Sequence, residues 1–143
     1  MTDTYYHSVV LRVGPEVDEF RQGGVLIFFA EPVPDALASV SVIHQPSSDL
    51  QRPLAVGDVL VVDGSQLAIR EVGELASDNL RSLGHMVLYA DQVDTPLLPG
   101  AIKVSGSLPY PQPGQKIEIA RGLGDQVEER EVDVDVRRRD VSV

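Results

Sequence analysis

The sequence predicts a mainly β fold: a single-domain, closed or nearly closed β-barrel with two short inserted helices. Three observations carry that prediction. Short apolar runs rich in Val, Leu and Ile recur along the chain, several of them alternating with polar residues at the period of a strand. Twelve Gly and ten Pro punctuate these runs and leave little room for long helices. The 143 residues are 43% apolar but only 5% aromatic, with no Trp, which suffices for one core built mostly from aliphatic side chains.

Residues 5–13 alternate well enough for a first strand, with Val9, Leu11 and Val13 on one face. Pro15 opens a short helix over 15–22, whose early acids suit the positive end of a helix dipole, and Gly23-Gly24 ends it. Val25-Leu-Ile-Phe-Phe29 is a continuous apolar run, the pattern of a strand buried on both faces. Pro32 and Pro34 break it, leaving at most one helical turn at 35–38. The next strand is expected over 39–44, with Val40, Val42 and His44 on one side, and residues 45–53 read as a polar, proline-bearing loop.

A hairpin follows, with strands at 59–62 and 67–69 around Asp63-Gly64, a dipeptide suited to positive φ; residues 63–66 leave room for a loop longer than two. The second helix is expected over 74–83, with Leu75, Leu80 and Leu83 on one face and Gly84 as a left-handed C-cap. Strands over 85–90, 101–105 and 116–120 complete the set, with a turn-rich link at 94–100. No internal repeat is visible. Residues 122–143 differ in kind, holding seven acidic and four basic residues, so the expected division is a domain over 1–121 and a charged, flexible tail over 122–143.

Composition excludes several function classes. A formal charge of −10 argues against nucleic acid and against anionic membrane surfaces, whose binding rests on Lys and Arg. The absence of Cys removes disulfides, thiolate catalysis and Cys-based zinc. No apolar stretch approaches a membrane span and the first residues lack a basic flank and an apolar core, so a cytoplasmic protein without direct membrane insertion is expected.

The chemistry then falls to histidine. His44 and His85 adjoin apolar strand-like runs, where a rigid element aims the ring while a partner can still reach it. Imidazole can act as a neutral nucleophile near pH 7. His7 lies on the first strand without a matching motif and reads as surface. His44, His85 and a carboxylate such as Asp49 lack metal-ligand spacing, so no metal is expected.

Six stretches taken together resemble a known family: Val25-Leu-Ile-Phe-Phe29, Val42-Ile-His44, Pro53-Leu-Ala-Val-Gly-Asp58, Ile69-Arg-Glu-Val-Gly73, Asp78-Asn-Leu-Arg-Ser-Leu-Gly-His85 and Pro99-Gly-Ala-Ile-Lys-Val-Ser-Gly106. The family is the glucitol/sorbitol-specific enzyme IIA component of the bacterial phosphoenolpyruvate-dependent sugar phosphotransferase system, and the likeness runs over about residues 5–121. Its most specific element is the stretch ending at His85, which joins a helix, its cap and a histidine in fixed register.

The resemblance implies a phosphotransferase component working through a phosphohistidine, without a cofactor. It would accept a phosphoryl group from the phosphocarrier protein HPr and pass it to the cysteine of a IIB component serving a IIB/IIC sugar permease. The family's phosphorylated histidine falls at His44, usually through Nε2, and the Gly-His match makes His85 its candidate partner. Where family members can carry a second histidine and a glycine, this chain has Gln45-Pro46-Ser47, and Pro46 removes a backbone donor.

Phosphoryl transfer needs an in-line nucleophile and donors around three charged oxygens. His44 would attack as neutral imidazole, its other nitrogen held by a carbonyl or carboxylate. His85 follows a helix C-terminus, where the dipole favours imidazolium, and would donate to the phosphoryl oxygens. Ser47 and Ser48 are candidate phosphate-stabilising donors. Two rival readings remain at this point: a regulatory or binding module that keeps the fold and docks a partner without turnover, and a small-ligand barrel with a deep apolar pocket away from both histidines.

Overall fold

The computed structural model describes residues 3–122. Its strands are β1 (Thr4–Val13), β2 (Val25–Ala30), β3 (Val42–Pro46), β4 (Val59–Val62), β5 (Ser65–Val72), β6 (Met86–Ala90), β7 (Ala101–Ser105) and β8 (Lys116–Ala120). Three helices, α1 (Val17–Gln22), α2 (Asp35–Ala38) and α3 (Ala76–Leu83), interrupt them. The strands close in the order β1-β3-β2-β6-β7-β5-β4-β8, with β8 pairing back to β1. Among the described strands, closure leaves no free sheet edge. The expected barrel is therefore present, with one helix more than expected: the single turn after Pro34 stands as α2. The expected tail, 122–143, lies outside the described residues except for Gly122.

Tyr6 and Val10 of β1, Leu26 and Phe28 of β2, Leu60, Leu67, Ile69, Leu88, Ile102, Val104, Ile117 and Ile119 fill an aliphatic core. The inward face of β1 is thus Tyr6, Ser8 and Val10, not the expected Val9, Leu11 and Val13. A bulge between Val10 and Arg12 explains the misreading, because it breaks the alternation that the longer pattern assumed. β2 is only partly buried on its outer face: Leu26 and Phe28 point inward, Val25 and Ile27 stay half-buried, and Phe29 is buried against His85. In α3 the buried positions are Ala76 and Leu80, one turn apart, while Leu75 caps the helix and both it and Leu83 are exposed. The Asp63-Gly64 hairpin takes the minimal two-residue loop, both residues having positive φ.

The barrel contains an internal repeat that the sequence hides. Reading outward from the β2–β6 pair, the order β2-β3-β1 on one side matches β6-β7-β5 on the other. β2–β3 and β6–β7 are the two parallel pairs. β1 has its bulge after Val10, and β5 has one after Ile69. After each bulge a Val-Gly step leads into a helix, with Gly14 N–H bonded to Ser41 O at 3.0 Å and Gly73 N–H bonded to Ala101 O at 2.8 Å. Register then fixes the equivalences: Ala30 pairs with His44 as Ala90 pairs with Val104, and Val10 with His44 as Ile69 with Val104. His44 therefore occupies the position that Val104 occupies in the other half.

Candidate functional site

His44 is not at a strand end. β3 continues through Gln45 and Pro46, so His44 sits mid-strand on its inward face, and only 1% of its surface is exposed. The expectation of a solvent-reachable ring is corrected by that two-residue extension. It packs against Phe28 in a T-shaped arrangement, 5.9 Å between ring centroids.

Both ring nitrogens are engaged. Nε2 lies 2.7 Å from the Gly84 carbonyl, and Nδ1 lies 2.6 Å from the Ser8 hydroxyl. A carbonyl can only accept, so Nε2 carries the proton and Nδ1 takes a hydrogen bond donated by Ser8. Burial lowers the ring's pKa below the ordinary histidine value, and the Gly84 bond, which favours the charged form, opposes this more weakly. The resting imidazole is neutral, as a nucleophile must be.

Gly84 reaches His44 because of two local constraints. It terminates α3 in the left-handed conformation, φ 64°, with its N–H returned to Leu80 O. A Cβ there would lie 2.3 Å from the Ala30 Cβ and 2.9 Å from its backbone N. The glycine cap thus packs directly on the end of β2, beside the residue that pairs with His44.

His85, next in the chain, takes a different position. Its ring packs on Phe29 at 4.3 Å between centroids, whereas the His44 ring packs on Phe28. Successive strand residues point to opposite faces, so the two imidazoles lie on opposite sides of the β2 wall, linked through Gly84 rather than facing one another. Burial lowers the His85 pKa, with the Phe28 backbone opposing, which reverses the imidazolium expected from the helix end. Its Nδ1 is buried without a hydrogen-bond partner.

Ser47 and Ser48 are exposed on the loop after β3. The Ser47 N–H is already committed to His7 O at 2.9 Å, while Ser48 lines a cleft of about 430 Å³. Tyr6, Phe29, Ala30, Pro46, Leu83 and Gly84 are among that cleft's walls. Ala30 is the register partner of His44, Pro46 lies two residues beyond it, and Gly84 bonds it, so three neighbours of His44 line this cleft. His44 itself lines a smaller cavity of about 210 Å³ with Leu11, Ala30, Glu31, Gln45 and Pro46. His7 is exposed and faces Glu118, as a surface residue should. Sequence reasoning missed Ser8. The Tyr6-x-Ser8-x-Val10 alternation was the available signal, read on the wrong face because of the bulge.

A model of the family described as "PTS system glucitol/sorbitol-specific IIA component" matches residues 5–118. The chain belongs to that family. Glucitol/sorbitol-specific EIIA components of Shigella flexneri and Escherichia coli K12 are each 30% identical to it over 104 residues, covering 73% of this chain and 84% of theirs. The crystal structure of a PTS system IIA component from Enterococcus faecalis V583 superposes with a TM-score of 0.68 at 26% identity, covering 78% of this chain and 96% of that one. This IIA family chain is therefore a component of a sugar phosphotransferase system. Among the described residues no helix is long and apolar enough to cross a membrane.

Proposed function

We propose that this IIA component takes a phosphoryl group from the phosphohistidine of HPr onto His44 and passes it to the cysteine of a cognate IIB component, on the cytoplasmic side of a IIB/IIC permease. The observation that carries the reading is a neutral, oriented imidazole whose Nε2 is held by the carbonyl of Gly84, a residue that lines the cleft. A partner seated in the cleft would contact Gly84, and displacing its carbonyl frees Nε2. Positioning and electrostatics, not a metal or nucleotide, supply the catalysis such a transfer needs. His85 holds the strand after Gly84 in place and is not assigned to the phosphoryl oxygens; Ser48, on the cleft wall, is the better placed of the two loop serines.

One observation favours a second reading. A ring with 1% exposure and both nitrogens satisfied also suits a structural histidine in a docking module without turnover. Incubation with phosphoenolpyruvate, enzyme I and HPr, followed by intact-mass measurement, separates the two. The relay predicts one acid-labile phosphoryl group on the wild type and none on His44→Gln. An unlabelled wild type leaves the docking module.

A further inference from the structure

We propose that Ser8 is a positioning residue for His44, a hydroxyl that holds Nδ1 in both ring states of the phosphoryl cycle; this rests on the phosphocarrier reading. Ser8 is 4% exposed and projects inward from β1, diagonal to His44 across the β1–β3 pair. The internal repeat supplies the comparison. The register that equates Val10 with Ile69 equates Ser8 with Leu67, and His44 with Val104. Leu67 and Val104 are 1% and 0% exposed, so the same frame packs apolar side chains at both positions in its other half. A buried hydroxyl and a buried imidazole cost desolvation that Leu and Val do not. The polar pair stands out against its own structural counterpart.

A hydroxyl can serve both ring states. In the resting state Nε2–H donates to Gly84 O, and Ser8 donates to Nδ1. Attack through Nε2 needs the other tautomer, with the proton on Nδ1. Once the Gly84 carbonyl withdraws, Nε2 gives its proton to water. Ser8 passes its hydroxyl proton to Nδ1 and takes a replacement from water entering through the cleft, leaving the ring neutral. The Nε2 lone pair then bonds phosphorus as the donor's nitrogen–phosphorus bond breaks, that pair returning to the donor imidazole. Nδ1–H now donates to Ser8 Oγ. A carbonyl or a carboxylate would lock one tautomer, whereas a hydroxyl serves both.

The titratable groups around the ring are few. Tyr6 lies near Ser8 on β1: burial pushes its phenol up, the Ser8 hydroxyl opposes this more weakly, and the phenol oxygen makes no well-formed hydrogen bond. His85 follows Gly84 on the far side of β2. Glu31, beyond β2, is paired with Arg12 at the surface. None holds Nδ1 in place of Ser8.

The test compares wild type, Ser8→Ala and Ser8→Thr, with phosphoryl transfer from HPr followed against pH and ¹⁵N NMR of the His44 ring before and after labelling. Expected are a fall of about tenfold in rate for Ser8→Ala, from one lost buried hydrogen bond, and recovery in Ser8→Thr. The phosphorylated wild type should hold its Nδ1 proton to higher pH than phosphorylated Ser8→Ala. Equal rates and pH profiles in a folded Ser8→Ala overturn the role, as does phosphate on Nδ1. Should Ser8→Ala not fold, an unprotonated Nδ1 in the phosphorylated wild type at neutral pH overturns it, and a proton there hydrogen-bonded to a hydroxyl upholds it. A wild type that takes no label overturns the relay itself.

Discussion

His44→Ala should destabilise this protein heavily, although a ring at a strand end would be nearly free to remove. The ring fills core volume against Phe28 and satisfies two polar groups, the Ser8 hydroxyl and the Gly84 carbonyl. Large-to-small changes in a core cost about 2–5 kcal/mol, and each buried polar group left unpaired costs about 1–3 kcal/mol. These overlap, since the cavity relaxes and Ser8 can rotate, so about 4 kcal/mol is expected. For a domain of this size that lowers the melting temperature by about 15 °C. His44→Gln should lose only about half as much, because its amide N–H can still reach Gly84 O while the side chain fills much of the space. With no Trp in the chain, urea unfolding followed by far-UV circular dichroism is the suitable assay. A loss below about 1 kcal/mol in His44→Ala, on the scale of a surface change, would refute the buried, doubly bonded ring.

Gly84→Ala should also be severe, through backbone as well as packing. Its φ of 64° costs a non-glycine residue about 1–2 kcal/mol, and a Cβ 2.3 Å from that of Ala30 adds about 1–3 kcal/mol of overpacking. A melting temperature within about 2 °C of wild type would contradict that packing. Stability should fall as pH drops below about 6.5. The folded pKa of His44 lies below its unfolded one because of burial, so the neutral ring belongs to the folded state and the unfolded chain takes up the proton first. The slope from this one group cannot exceed about 1.4 kcal/mol per pH unit, and it should be shallower in His44→Gln. Urea midpoints between pH 8 and 5 that fall as steeply in the variant would rule His44 out as the source.

What the sequence reveals here depends on range. The Gly84 cap, the Asp63-Gly64 turn and the strands at 101–105 and 116–120 are readable because neighbours within a few residues determine them. The inward face of β1 is not, because one bulge residue inverts the alternation and its place depends on pairing with β3. The depth of His44 is not legible either: Gln45-Pro46 reads as loop, and only pairing with Ser8 and Val9 of β1 makes it strand. The side on which His85 lies is hidden too, since it depends on packing against Phe29 of β2, far away in sequence, while His44 packs on Phe28. The repeat escapes notice because its two halves share little beyond glycines, bulges and burial. In place of α2 the second half has only the turn-rich link before β7.

That repeat also yields the sharpest test of how the site is built. Ser8 and His44 come from one half of the barrel, while the Gly84 carbonyl comes from the helix cap of the other, so no local segment contains the site. If the frame is indifferent to polarity at these positions, Ser8→Leu combined with His44→Val reproduces the Leu67–Val104 arrangement already present opposite. The larger Leu offsets the smaller Val, and volume-conserving apolar swaps cost little. Replacing a buried polar pair together removes both desolvation costs, whereas removing one partner strands the other. Only the Gly84 carbonyl loses a partner, at about 1–3 kcal/mol. The double variant should therefore be more stable than His44→Ala and fold cooperatively, while taking no phosphoryl group. If it proves less stable than the single variant in urea, the two halves are not packed equivalently, and the polar pair is then part of what holds the first half together.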